Sequence, residues 1–339
     1  MGGYRVSRAV IVRIFHYLTL IAVGFLLYAC DAPRDNPLDP DADNYIGPVG
    51  IISGRVTNLA SVPLSDVMVL AIPGYRGGVT DNSGYFLIEN VEAGDYQVSC
   101  GPSGFEPDTQ FVTVRDGLTS VVNFQLDALP VISNFQVTSH YLYLGTQIPP
   151  QTYIIYARSH ISDPDGFGDI EQVTLEFEGG LDTLMAYSPD SSSGSSLFYF
   201  VQLPLDFFPG ASIDSVKWKK FTCTAEDTSG NVASSEPLSI QRFFDDYPVQ
   251  IYPFSDIVSS SGLYLWWEPY DEQFFFTYTV RIFKEGYSTP VWERSGISPT
   301  DSTTTVGVTL ENGDYNWTLE VIDEYGNTAR TAPATFTVQ

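Results

Sequence analysis

The chain has 339 residues, with 41 Asp and Glu against 16 Lys and Arg, and a formal net charge of −25 at pH 7. So negative a surface repels phosphate backbones and anionic lipid, which argues against nucleic acid as a partner. A composition 43% hydrophobic and 14% aromatic is nevertheless rich enough for packed cores.

The first segment is basic, through Arg5, Arg8 and Arg13, and no acid precedes Asp31. From Ile14 to Ala29 the chain is almost wholly apolar, broken only by His16 and Thr19. That run gives roughly 24 Å of helix at ~1.5 Å per residue, short for a ~30 Å hydrocarbon core. A basic start, a short apolar run and a small residue before a cut describe a secretory signal over 1–29. Leu27-Tyr28-Ala29-Cys30 resembles the lipobox of bacterial lipoproteins, although Tyr28 departs from the residue usual there. The resemblance implies cleavage before Cys30, acylation of its thiol, and a membrane partner reached through that lipid. A plain signal peptide or a short anchor helix ending in cysteine is the alternative. Cleavage would remove three arginines and no acid, taking the charge to −28.

Residues 30–49 are rich in proline and aspartate and lack apolar periodicity, so they read as a disordered acidic tether. This run resembles the NPLDP-type tethers of many lipoproteins. Asp31 resembles the inner-membrane retention signal of enteric bacteria, a rule other lineages do not follow, so the choice of membrane stays open. The expected location is a membrane-anchored one, at the outer membrane and cell surface or on the periplasmic face.

After residue 49 no helical period stands out. Short alternating runs of Val, Thr, Tyr and Phe, punctuated by Gly, Asn, Asp and Pro, predict an all-β chain of three β-sandwiches in series. The first spans 50–127. Its Asp81-Asn82-Ser83-Gly84 is a tight turn, followed by Tyr85 and Leu87 on one strand face and Phe86 and Ile88 on the other. Thr80-Asp81-Asn82-Ser83-Gly84-Tyr85-Phe86, then Gly94-Asp95-Tyr96-Gln97-Val98, closely resembles the carboxypeptidase regulatory-like domain, a transthyretin-like sandwich. That family implies a non-catalytic module and no peptidase activity.

The middle region, 128–246, carries strand-like runs at 132–137, 153–161, 173–177, 197–203 and 221–225. Ala225-Glu226-Asp227-Thr228-Ser229-Gly230-Asn231 parallels Val321-Ile322-Asp323-Glu324-Tyr325-Gly326-Asn327, a strand followed by Asp-x-x-Gly-Asn. Two copies near two domain ends predict two Ig-like sandwiches joined in series. In 247–339, Leu263, Leu265 and Trp267 alternate before Pro269, and Leu310 to Tyr315 lead into Trp317, Leu319 and Val321. These resemble fibronectin type III, with Tyr315 at its tyrosine corner. Cys100 and Cys223 sit in separate alternating strands and are expected to be buried thiols rather than a bridge.

Catalytic constellations are scarce. Mature residues include only His140 and His160, neither in a metal-ligand spacing, and there is no nucleophile elbow or P-loop. The expectation is a non-enzyme without a cofactor. One loop stands apart. Asp163-Pro164-Asp165-Gly166-Phe167-Gly168-Asp169 places three carboxylates at short spacing around glycines, which suits calcium. It lacks the full EF-hand spacing and its distal Glu, and the residues favour an ordinary inter-strand turn, with calcium binding as the alternative. Tyr264 and Trp266 lie on the strand face opposite Trp267 and could bind a glycan or a protein, or merely pack across strands. Two functions follow: a lipid-anchored, non-enzymatic scaffold or adhesion module of the cell envelope, or a surface glycan-binding lipoprotein of a polysaccharide-capture system.

Overall fold

The computed structural model describes residue 42 and residues 47–143, 151–193 and 196–339. The expected signal segment, Cys30 and nearly all of the tether lie outside those residues. Almost every described element is a strand, as the alternation requires, and the helices are single turns such as Ile213–Val216. Among the described residues no helix is long and apolar enough to cross a membrane.

The chain forms two compact units. Of the described residues, one comprises those up to Thr57, Val62–Pro102 and Pro107–Leu126; the other comprises Asn58–Ser61, Ser103–Glu106 and those from Asp127 onward. In the first, strand Val49–Asn58 pairs antiparallel with Tyr85–Glu92 and parallel with Thr119–Val121. A second sheet runs Arg76–Val79, Met68–Ile72, Gly94–Cys100, Asp108–Val114. Alternation decides the faces: Phe86 and Ile88 are buried while Tyr85 and Leu87 are exposed. Gly54 is required where it stands, because a Cβ there would lie 1.6 Å from the Val122 carbonyl oxygen.

The second unit holds two hydrophobic cores. One gathers Ile155, Ile161, Val173, Leu175, Phe221 and Cys223 between the sheet of Gln151–Ser162 and the sheet of Ile170–Phe177 and Phe221–Asp227. Strand Phe221–Asp227 buries every second residue without exception. The other core gathers Leu265, Trp267, Tyr278, Ile282, Trp317 and Phe336. The Tyr315 hydroxyl donates to the Glu311 carbonyl four residues upstream, at 2.9 Å, the contact expected of a tyrosine corner.

These two sandwiches share a sheet. Strand Val131–Tyr143 pairs parallel with Thr328–Arg330, setting His140 opposite Thr328 and Tyr141 opposite Ala329. The result is one continuous ten-stranded sheet. Polar contacts close the same seam. The Ser139 N–H donates to Asn327 Oδ1 at 2.9 Å, and the Ser139 hydroxyl donates to the Arg242 carbonyl at 2.7 Å. Arg242 reaches the fully buried Asp323 carboxylate at 3.0 Å and Glu324 at 3.1 Å, with its guanidinium 3.8 Å from the Phe274 ring centre. The Tyr153 hydroxyl donates to the Phe244 carbonyl.

Two hairpins and one link between sheets use the same turn. Asp227 Oδ1 accepts the N–H groups of Ser229 and Asn231, at 2.9 and 2.8 Å, and Asp323 Oδ1 accepts those of Tyr325 and Asn327 at the same distances. In the first unit Asp81 Oδ1 accepts Ser83 and Tyr85, at 2.8 and 3.0 Å. The glycine at the fourth position has positive φ in each, 74°, 90° and 86°. This form of the Asp-x-x-Gly turn thus recurs at Asp81, Asp227 and Asp323, and the copy at Asp81 ends on Tyr85 instead of Asn.

Candidate metal centre

The site forms where strand Gln151–Ser162 ends. Asp163 turns the chain through an Asx turn, its Oδ1 accepting the Asp165 N–H at 2.8 Å. Gly166 follows at φ 113°, a backbone conformation for which glycine alone is unstrained, and a 3₁₀ turn over Phe167–Asp169 delivers Asp169. The loop therefore folds its three aspartates onto one side. One oxygen from each of Asp163, Asp165 and Asp169 lies within 4.8 Å of the other two.

Two further carboxylates approach from elsewhere in the sequence. One oxygen each of Asp127, Asp169 and Asp227 also lie within 4.8 Å of one another, so Asp169 belongs to both groups. Asp227 comes from the Asp-x-x-Gly-Asn hairpin, and Asn231 of that hairpin donates to Asp127 Oδ2 at 3.2 Å. The Thr228 N–H and hydroxyl both donate to Asp169, the first to its carbonyl at 2.7 Å.

The five carboxylates are not equivalent. Asp227 is buried but fully engaged, both oxygens accepting bonds within its own turn. Asp165 is engaged as well: Oδ1 accepts the Ala60 N–H at 3.3 Å and Oδ2 the Ala128 N–H at 2.6 Å. Asp127 Oδ1, Asp163 Oδ2 and Asp169 Oδ2, however, are buried oxygen atoms without a hydrogen-bond partner. Asp163 is 7% exposed. Burial pushes its carboxyl up to about 6 against the pull of the Asp165 N–H, and the charges of Asp169, Asp165 and Asp227 add to the rise. Among the described residues no Lys or Arg pairs with any of the five.

Other sequence candidates have quieter surroundings. Cys100 and Cys223 are free and buried, and burial pushes their thiols up to about 12 and about 11, which leaves both unreactive. His140 sits between the hydroxyls of Thr138 and Thr328, at 2.8 and 2.9 Å, and burial lowers its pKa. Tyr264 and Trp266 are exposed, at 48% and 45%, while Trp267 is fully buried. The Tyr264 ring lies 4.9 Å from that of Tyr252, inclined at 30°, so a third aromatic joins this face. Asp127 and Tyr252 escape a reading of the sequence because each reaches its partners only through the sheet register.

Residues 51–127 match the carboxypeptidase regulatory-like domain. The domain is the part of the chain that carries the Asp81 turn, and its match ends on Asp127, itself one of the five carboxylates. Among curated proteins none matches the chain. Several solved structures resemble it distantly. A DUF3823 family protein from Bacteroides ovatus is 14% identical, over 57% of this chain and 98% of its own, with a TM-score of 0.24. BcpA, the major pilin subunit of Bacillus cereus, is 10% identical, over 86% of this chain and 95% of its own, at 0.33. The first three fibronectin domains of chicken CNTN1 are 12% identical, over 86% and 99%, at 0.30.

Proposed function

We propose that the chain is a non-catalytic scaffold of the bacterial cell envelope, held to a membrane by lipid on Cys30. The observation that carries the scaffold reading is the pairing of Val131–Tyr143 with Thr328–Arg330. A ligand-capturing chain of independent modules gains from flexible joints, whereas a spacer or assembly module gains from stiffness. Here one sheet, a buried carboxylate paired with Arg242, and Tyr141 packed between Tyr153 and Tyr247 suppress the hinge between two sandwiches. The two sandwiches of the second unit accordingly melt together. Scanning calorimetry of the whole chain is expected to resolve at most two transitions, one per unit; three would contradict a stiff second unit.

The exposed Tyr264 and Trp266, with the half-buried Tyr252 beside them, favour one further reading, capture of a glycan on the sheet that also carries Thr303 and Thr305. Flat rings presented together suit stacking on sugar faces. If the face works this way, Trp266→Ala abolishes binding on a glycan array while leaving the melting temperature unchanged. Binding that survives the substitution assigns the aromatics to cross-strand packing.

A further inference from the structure

We propose that Asp127, Asp163 and Asp169 bind one calcium ion, with Asp165 and Asp227 as the supports that hold those three in place. The cluster alone would say little, since exposed acids gather on many surfaces. What distinguishes it is burial without partners. Asp163 is more than nine-tenths buried, and its Oδ2 has no donor; Asp127 Oδ1 and Asp169 Oδ2 are buried orphans too. An unpaired buried carboxylate oxygen costs far more than an exposed one, and here several carboxylates raise each other's cost. Folding these groups together needs a positive charge, and among the described residues no side chain supplies it.

The chemistry selects the ion. The donors are all oxygen, which disfavours zinc and other metals that seek nitrogen or sulfur. Asp169 joins two groups, one with Asp163 and Asp165 and one with Asp127 and Asp227, and within each group the oxygens lie within 4.8 Å of one another. Calcium, with six to eight oxygens at about 2.3–2.6 Å, spans such separations and tolerates irregular geometry, whereas magnesium demands a tight octahedron. The division of labour among the carboxylates also fits. Asp165 and Asp227 spend both oxygens on N–H and amide donors, fixing the loop and the hairpin. The other three each keep one oxygen uncommitted. Bound calcium would then clamp the 163–169 loop, the 227–231 hairpin and the chain at Asp127 within the second unit.

The test is calorimetric titration of the purified full chain, in calcium-free buffer, with CaCl₂ and separately with MgCl₂. One saturable calcium site is expected, with a dissociation constant of ~10⁻³ M or tighter, weaker response to magnesium, and a calcium-dependent rise in melting temperature. Asp163→Asn and Asp127→Asn are expected to weaken binding about tenfold or more, since each removes a charged ligand. Asp182→Asn, on a distant exposed strand, leaves it unchanged. Without calcium, Asp163→Asn melts at or above the parent temperature, because it relieves repulsion; this separates a lost ligand from a damaged fold. Absence of saturable calcium heat and of any melting shift at millimolar calcium overturns the proposal. So does binding that persists undiminished in both Asp163→Asn and Asp127→Asn.

Discussion

Trp317→Ala lowers the unfolding free energy of the second unit by about 3–5 kcal/mol. Trp317 is among the largest fully buried side chains, at the centre of strand Gly313–Asp323. Its indole Nε1 donates to the Pro253 carbonyl at 2.8 Å, and its backbone carbonyl accepts Gln250 at 2.7 Å. Truncation therefore opens a cavity in the core that also holds Leu265, Tyr278 and Phe336 and orphans a buried carbonyl as well. For a unit of this size the loss corresponds to roughly 6–20 °C in melting temperature. Denaturant unfolding followed by circular dichroism measures it; a loss below about 1 kcal/mol would mean that the core repacks and that Trp317 is not its keystone.

The second large effect is at Asp323. Asp323→Ala removes the acceptor for Tyr325 N–H, Asn327 N–H and the Asn327 amide, and it strips Arg242 of its buried counter-charge. Because Asn327 also accepts Ser139, the damage reaches the seam between the two sandwiches. Removing one partner of a buried pair and orphaning N–H groups together cost about 3–4 kcal/mol, kept below the upper range because Arg242 is partly exposed. Asp227→Ala makes the comparison sharp. It breaks the same turn, but Asp227 has carboxylates for neighbours and no arginine, so in calcium-free buffer the relief of repulsion offsets part of the loss. Equilibrium unfolding of the two variants should place Asp323→Ala well below Asp227→Ala. Equal losses would show that the turn alone, and not its electrostatic setting, governs both.

Much of this architecture was legible in the residues. Strict alternation over Phe221–Asp227, and the split between Phe86 and Tyr85, follow from the two-residue period of a strand with one buried face. The Asp-x-x-Gly turns were legible because their chemistry is local: a carboxylate caps N–H groups two and four residues on, and glycine takes the left-handed position. The Asp81 turn was legible as a turn but not as a relative of the other two, because Tyr85 stands where they have asparagine. The carboxylates of 163–169 were legible as a group, again because they are neighbours in sequence.

What escaped was long-range. The pairing of His140 with Thr328 joins positions 188 residues apart and leaves no trace in either strand's own pattern. Parallel registers of this kind are fixed by the packing of whole sandwiches, not by a turn. Asp127 looks like an ordinary strand-end acid until the hairpin at Asn231 is placed beside it. Likewise, Asp165 could be told from Asp163 only by its contacts, since the Ala60 and Ala128 N–H groups that occupy it are distant in sequence. Local periodicity thus identifies faces and turns, and tertiary register decides which groups on those faces meet.

The anchor at Cys30 is the part of the proposal on which the cellular role depends. The full-length chain and its Cys30→Ser variant, expressed in a bacterium, should be compared by detergent-phase partitioning and by mass spectrometry of the mature N-terminus. The parent chain is expected in the detergent phase, beginning at Cys30 and carrying the added mass of acyl chains, while Cys30→Ser loses both features. An unmodified Cys30, or a Cys30→Ser chain that partitions as the parent does, would contradict a lipid-anchored scaffold.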